Sequence, residues 1–339
     1  MNKRTGTTVL IVGLILLLLA GAVYLRKKAP PEAARLLPES DGIVFINLRP
    51  VRLATHFDRQ SVTHDADYQK FIDATGIEFE RDLDEAAFAL HRMTPANGPN
   101  GAIGFSTVFV GRFNRKRLAN YLAASAAATE DYEGHTIYSI PVEDRTDRVA
   151  LLGYDIVAVS NMPTTEQIHS ILDRYRSAAL PFSGSSLLSE HYGEIPLLSL
   201  AWGMGKIGMP LNSAATGGSS GGLAEGDGLK VMGWTLPIPA NATYIASVRW
   251  AGPLRLRLEE IAADEQSAGA SADSLNGMLS LFKAAGGADS PGDEDVKALV
   301  DSIAIQHRKD RVVLTATIPS ALLQKVTESA KLDSNHAAP

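Results

Sequence analysis

The chain has 339 residues, 45% of them hydrophobic and 21% charged, with a formal net charge of −6. This is enough material for two ordinary domains with cores of their own, and the composition is globular rather than disordered. Cysteine is absent, which excludes disulfides, Cys-ligated zinc, a thiol nucleophile and a lipidated N-terminal Cys, but does not fix the compartment.

Thr7 to Leu25 is a charge-free run of 19 residues, with Lys3 and Arg4 before it and Arg26, Lys27 and Lys28 after it. As a helix it would span about 28 Å, close to the hydrocarbon thickness of a bilayer. Ala20-Gly21-Ala22 offers a signal-peptide cleavage alternative. The apolar run continues past that site, however, and a mature N-terminus rich in Arg and Lys hinders export, so an uncleaved signal anchor is the expectation. Basic residues flank both ends, and their count slightly favours a cytoplasmic body. A short leader before a large body, which crosses largely regardless of charge, is nonetheless the layout of a body outside the cytoplasm. The five flanking cations are the only charges in the first 28 residues. Without them 27 basic and 38 acidic residues remain, a formal −11 for the body. So acidic a surface has no electrostatic basis for gripping a phosphate backbone, and nucleic acid is excluded as a partner.

Residues 29–40 form a Pro-rich stalk. Strands are expected at 43–48 (the core of DGIVFINL), 86–93 and 106–113, then a helix capped by Asn114 with Leu118, Tyr121, Leu122 and Ser125 on one face. TIYSI, RVALL and DIVAVS continue as strands. Thr164 and Gln167 form a capping box before Ile168, Ile171, Leu172 and Tyr175 at helical spacing. PLLSLAW, 196–202, is the next strand.

Beyond the glycine-rich stretch, NATYIASVRW (241–250) resembles DGIVFINLRP in kind. Leu254, Leu256 and Leu258 alternate with arginines as in a half-buried strand. Two helical stripes follow, Leu275–Met278–Leu279–Phe282 and Val296–Leu299–Val300–Ile303. A weak internal repeat pairs RVALLGYDIVAVSNMPTTEQIHSIL with SIAIQHRKDRVVLTATIPSALLQKV: strand, turn, strand, Pro, helix.

The whole reads as α+β: an N-terminal transmembrane helix, then two α+β domains with mostly antiparallel sheets and helices on one face. The expected boundaries are 1–28 for the anchor, 29–40 for the stalk, 40–203 for domain 1, 204–228 for a Gly/Ser-rich flexible loop, 229–332 for domain 2 and 333–339 for a disordered tail.

Two motifs sit in WGMGKIGMPLNSAATGGSSGG. Gly203, Gly205 and Gly208 spell the dinucleotide fingerprint, but Met209-Pro210 and a Gly/Ser-rich run stand where its helix must begin. Gly217-x-Ser219-x-Gly221, and the same pattern at Gly218, Ser220 and Gly222, spell a nucleophile elbow without the strand–turn–helix that would orient the serine. Both read as products of composition. His56, Asp58, His64, Asp65 and Asp67 are the densest set of metal-ligand types, at spacings that match no zinc motif; they read as a solvated segment. Arg112, Arg115, Lys116 and Arg117 form a basic knot at a helix N-terminus, where the dipole disfavours cations. A solvated face balanced by neighbouring acids is the plain reading, and lipid headgroups or an acidic partner are the alternative. No catalytic, metal or cofactor-binding residues stand out, and no cofactor is expected.

LLPESDGIVFINL, ATGIEFERDLDEAAFAL and VFVGRFNRKRLANYL, in this order of elements, resemble a loose group of single-span bacterial envelope proteins of uncharacterised role. The resemblance implies a membrane-anchored location and carries no site residues. The functional expectation is a non-enzymatic binding or scaffolding protein of the cell envelope. Its partners would be the bilayer through residues 7–25 and an envelope protein. The alternative is an extracytoplasmic hydrolase whose site is not visible in the sequence.

Overall fold

Alternating apolar and polar residues in most of the long strands produce one large antiparallel sheet with helices against it. The computed structural model describes residues 29–59, 64–93, 103–177, 184–206, 229–231, 234–236, 242–250, 252–286 and 294–322. The anchor at 7–25, most of the Gly/Ser-rich connection and the 333–339 tail lie outside the described residues. Among those described, no helix is long and apolar enough to cross a membrane.

In chain order the elements begin with α1 (Glu32–Arg35), β1 (Gly42–Asn47), α2 (Leu48–Thr55), α3 (Ala66–Thr75) and α4 (Phe79–Asp82). They continue through β2 (Leu83–Arg92), β3 (Ile103–Gly111), α5 (Arg115–Ser125), β4 (Ala128–Tyr132), β5 (His135–Val142), β6 (Arg145–Leu152) and β7 (Ile156–Ser160). Next come α6 (Glu166–Ser177), α7 (Ser186–His191), β8 (Ser199–Lys206) and the short strands β9 (Leu229–Val231) and β10 (Trp234–Leu236). Last are β11 (Thr243–Trp250), β12 (Leu254–Ile261), α8 (Glu265–Gly286), α9 (Glu294–Asp301), β13 (Ala304–Arg308) and β14 (Arg311–Ile318).

Twelve of the strands form one sheet in the order β13-β14-β12-β11-β8-β1-β2-β3-β7-β6-β5-β4, and β9 pairs with β10 separately. The order explains the internal repeat. From the central β1–β8 pair, β1-β2-β3-β7-β6 runs outward on one side and β8-β11-β12-β14-β13 on the other. Each half contains three successive antiparallel strands, a crossover with a helix and a hairpin whose second strand returns against the third of those strands; the first half adds β5 and β4 beyond β6. The hairpins β6–β7 and β13–β14 hold equivalent places, as the repeat implies. NATYIASVRW does not: it forms β11, the counterpart of β2, so the partner of β1 across the pattern is β8. The sheet runs unbroken across both expected domains, because β8 pairs with β1 on one side and β11 on the other.

Helices cover both faces, which corrects the one-face expectation. Ile43, Phe45, Ala87, Ala89, Trp202, Met204 and Ile245 point to the front face, where α1, α6 and α7 contribute Ala33, Leu37, Ile168, Ile171, Leu172 and Leu188 to one core. Residues one step out of register, Val149, Leu151 and Val157, point to the back face and pack with Ile77 near α3 and with Leu118 and Leu122 of α5. Farther along the same back face, Val312 packs with Ala268 and Ala272 of α8.

Local corrections follow from packing. Asn114 caps α5 as expected, accepting from Arg117 N. The Thr164 box opens one residue late: His169 N donates to Thr165 O at 3.0 Å, and the Thr164 hydroxyl turns to the Glu166 carboxylate. The inward stripe of α8 is the buried Ala268 and Ala272 with Leu275 half-buried against them, while Phe282 is exposed, because only the first half of the helix lies over the sheet. β8 runs to Lys206, so Met204, Gly205 and Lys206, expected in the connection, are strand residues.

Candidate functional site

Gly203 and Gly205 of the apparent dinucleotide motif lie in β8, opposite Val44 and Gly42 of β1. Gly205 has φ +150, and a Cβ there would stand 2.6 Å from Asp41 O. These glycines permit close strand approach and leave the back face of the central strands flat. The result is a trough of about 280 Å³ floored by Gly42, Gly203 and Gly205 and walled by Val44, Leu90, Ala246 and Leu258. Ala246 is exposed, Val44, Leu90 and Leu258 are half-buried, and Lys206 at one end is the only charged residue among the described residues that line it. Tyr244 is buried at its margin; burial and the neighbouring Glu260 charge push its phenol pKa up. Among the described residues the trough offers apolar contact and no pair of groups suited to acid–base chemistry.

The basic knot is built into the framework. Arg117 donates through Nη2 to Asp73 O at 2.8 Å and through Nε to Ala74 O at 3.2 Å, at the C-terminal end of α3. Arg112 donates to Arg81 O in α4, and Arg115 to Gly153 O in the β6–β7 turn. Carbonyls at helix ends and turns therefore offset the unfavourable position at the α5 N-terminus. Lys116 is exposed. Arg112 also borders a polar cleft of about 320 Å³ with Arg49, Arg52, Leu53, Asp58 and Asp84. Within it Arg52 is committed to the protein, bonding Asp84 at 2.6 Å, Glu80 O at 2.9 Å and Leu83 O.

The remaining sequence candidates separate. Asp65 caps α3, Asp67 pairs with Lys70, and His64 lies 3.3 Å from Glu80. His56 takes a left-handed conformation at the end of α2. No group of three metal-ligating side chains converges among the described residues. The serines of the elbow motif lie outside those residues.

One polar chain has no counterpart in the sequence reading. His91 Nε2 lies 3.2 Å from Ser106 Oγ, which lies 3.0 Å from Ser160 Oγ, all buried on the front face. Burial pushes the His91 pKa down, and Asp41 opposes this weakly. Ser106 and Ser160 are fully enclosed, so neither hydroxyl is placed to meet a substrate. Spacing of 15 and 54 residues between the members left no sequence signal.

The apolar side chains exposed to solvent are the feature the sequence reading missed. At one end of the sheet β1 finishes, β2 begins, β3 ends, β7 and β8 begin, β11 ends and β12 begins. Leu53, Phe79, Tyr154, Leu197, Leu198 and Trp250 are exposed in the turns and helices at this near end. Leu281, Phe282 and Val296 are exposed on α8 and α9, which return the chain toward it. No other large apolar side chain among the described residues is as exposed.

Comparison with known proteins found no matching family model and no matching curated protein. Among solved structures, crystal form III of TP0453 is similar at 13% identity and a TM-score of 0.44, covering 88% of this chain and 99% of that one. Crystal form I of TP0453 gives 11% identity and 0.41, covering 89% and 98%. Likeness at this level assigns neither activity nor ligand.

Proposed function

We propose that this protein is a membrane-anchored, non-enzymatic binding or scaffolding protein of the bacterial cell envelope, tethered through residues 7–25 with its body outside the cytoplasm. The supporting observation is the glycine-floored trough on the back of the central strands. An enzyme pocket needs a few convergent polar groups with perturbed pKa values. A partner-binding surface needs apolar area into which an anchoring side chain can seat. The trough has the second character, and its volume suits a few apolar side chains of a partner segment rather than a large cofactor. Tethering would raise the effective concentration toward partners in the same membrane. The hydrolase alternative would rest on the His91–Ser106–Ser160 chain, whose enclosure argues against it.

The domain division belongs to this proposal: residues 40–203 and 229–332 are two halves joined through 204–228. A photo-crosslinking residue at Ala246 tests the binding reading in cells. The expected result is a discrete adduct with one envelope protein, lost when Val44→Lys places a charge in the trough. Absence of any adduct, together with an esterase activity abolished by Ser106→Ala, would transfer the case to the hydrolase.

A further inference from the structure

The near end of the sheet is also where the described chain begins. Glu32, in the first turn of α1, lies close enough to Glu85 that its charge, after burial, helps to push the Glu85 carboxyl pKa up. Glu85 pairs with Asn47, the last residue of β1. From Lys28, the last of the basic residues flanking the apolar run, to Glu32 is four residues, at most about 14 Å of extended chain. A body so tethered holds this end beside the headgroups.

The side chains there suit that position. Leu198 is 89% exposed, Tyr154 87% and Leu53 70%, with Leu197 and Trp250 beside Leu198 at the β8 and β11 termini. Leu198 also has φ +64. A large apolar residue in the left-handed region is both strained and wet, and neither cost serves the core. Arg49, Arg112, Arg115, Lys116 and Arg255 are exposed at the same end, alongside the carboxylates of Glu32, Asp131, Glu133 and Asp155. Apolar and aromatic side chains interleaved with Arg and Lys are the composition that settles at a bilayer interface and meets anionic headgroups.

We propose that this end is a bilayer-contact face: Leu53, Tyr154, Leu197, Leu198 and Trp250 enter the interfacial region, and the exposed cations at this end meet lipid phosphates. The inference rests on the anchor reading above and adds a fixed orientation of the body on the membrane, with the β5–β6 and β13–β14 turns pointing away.

The absence of cysteine makes single-site labelling clean. The full chain, carrying an environment-sensitive fluorophore on Leu53→Cys, Tyr154→Cys or Leu198→Cys, is reconstituted into phosphatidylcholine vesicles with and without phosphatidylglycerol. Controls carry the label on Asp144→Cys or Arg308→Cys, at the opposite end. The near-end labels are expected to shift to the blue and be quenched several-fold more than the controls by a headgroup-region nitroxide lipid, more strongly with phosphatidylglycerol. Near-end labels quenched no more than the controls, in protein that floats with the vesicles, would overturn this inference and leave the anchor standing. Protein that does not float with the vesicles would overturn the anchor reading, and this inference with it.

Discussion

Replacing Gly205 with Ala tests why the central strands carry glycine. A Cβ at Gly205 would stand 2.6 Å from Asp41 O and 2.7 Å from Gly42 Cα, both backbone atoms of the neighbouring chain segment. Neither can rotate away, and the φ of +150 disfavours any side chain. Backbone strain of about 1–2 kcal/mol and overpacking of about 1–3 kcal/mol give a loss of roughly 2–5 kcal/mol. Gly203 is the internal control: its Cβ would stand 3.3 Å from Ile43 O, without a positive φ, so Gly203→Ala should cost about 1 kcal/mol or less. Urea denaturation of both variants, followed by far-ultraviolet circular dichroism, reads the difference as a shift of midpoint at constant slope. A Gly205→Ala midpoint equal to that of Gly203→Ala would refute the reasoning that glycine is required for close β1–β8 contact.

Glu259 is almost wholly buried between Arg257 at 2.7 Å and Arg311 at 2.8 Å, so Arg311→Met should cost about 3 kcal/mol by leaving its charge under-compensated. Denaturation of Arg311→Met against the Arg311→Met/Glu259→Gln double variant, which should recover part of the loss, checks this. The lowered His91 pKa means that the unfolded chain binds more protons than the native one below the ordinary value of 6.5. Stability should therefore fall as pH drops from about 6.5 toward the lowered native value, and His91→Asn should flatten that part of a midpoint-versus-pH profile. Protease nicking between Gly217 and Gly228 should leave two fragments that co-elute in size exclusion, because β8 remains paired with β11; fragments that separate would contradict one continuous sheet.

Elements with strong periodicity were legible from the sequence. The strand at Gly42–Asn47, the Asn114 cap and the Ile168–Ile171–Leu172 stripe follow from local pattern alone. So does the hairpin repeat, which the sheet order turns into a two-half arrangement. Helices on both faces were not legible, because the β6–β7 strands bury alternate residues on opposite sides and read as plain apolar runs. The role of Gly205 depends on the backbone of Asp41, 164 positions earlier in the chain. Leu198 and Trp250 carry no local pattern; they become a surface only when β8 and β11 pair. The basic knot was visible in sequence, but not its carbonyl partners on α3, α4 and the β6–β7 turn.

The proposed partner binding at the trough and the proposed bilayer contact at the near end both rest on a body held to the membrane, and the proposed function on a body outside the cytoplasm. Fusions at the C-terminus of the full chain test this most directly, one to alkaline phosphatase and one to a reporter active only in the cytoplasm. The account predicts an active phosphatase, a silent cytoplasmic reporter and fusion protein retained in the membrane fraction after alkaline extraction. An inactive phosphatase with an active cytoplasmic reporter, or release of the fusion by alkali, would contradict it.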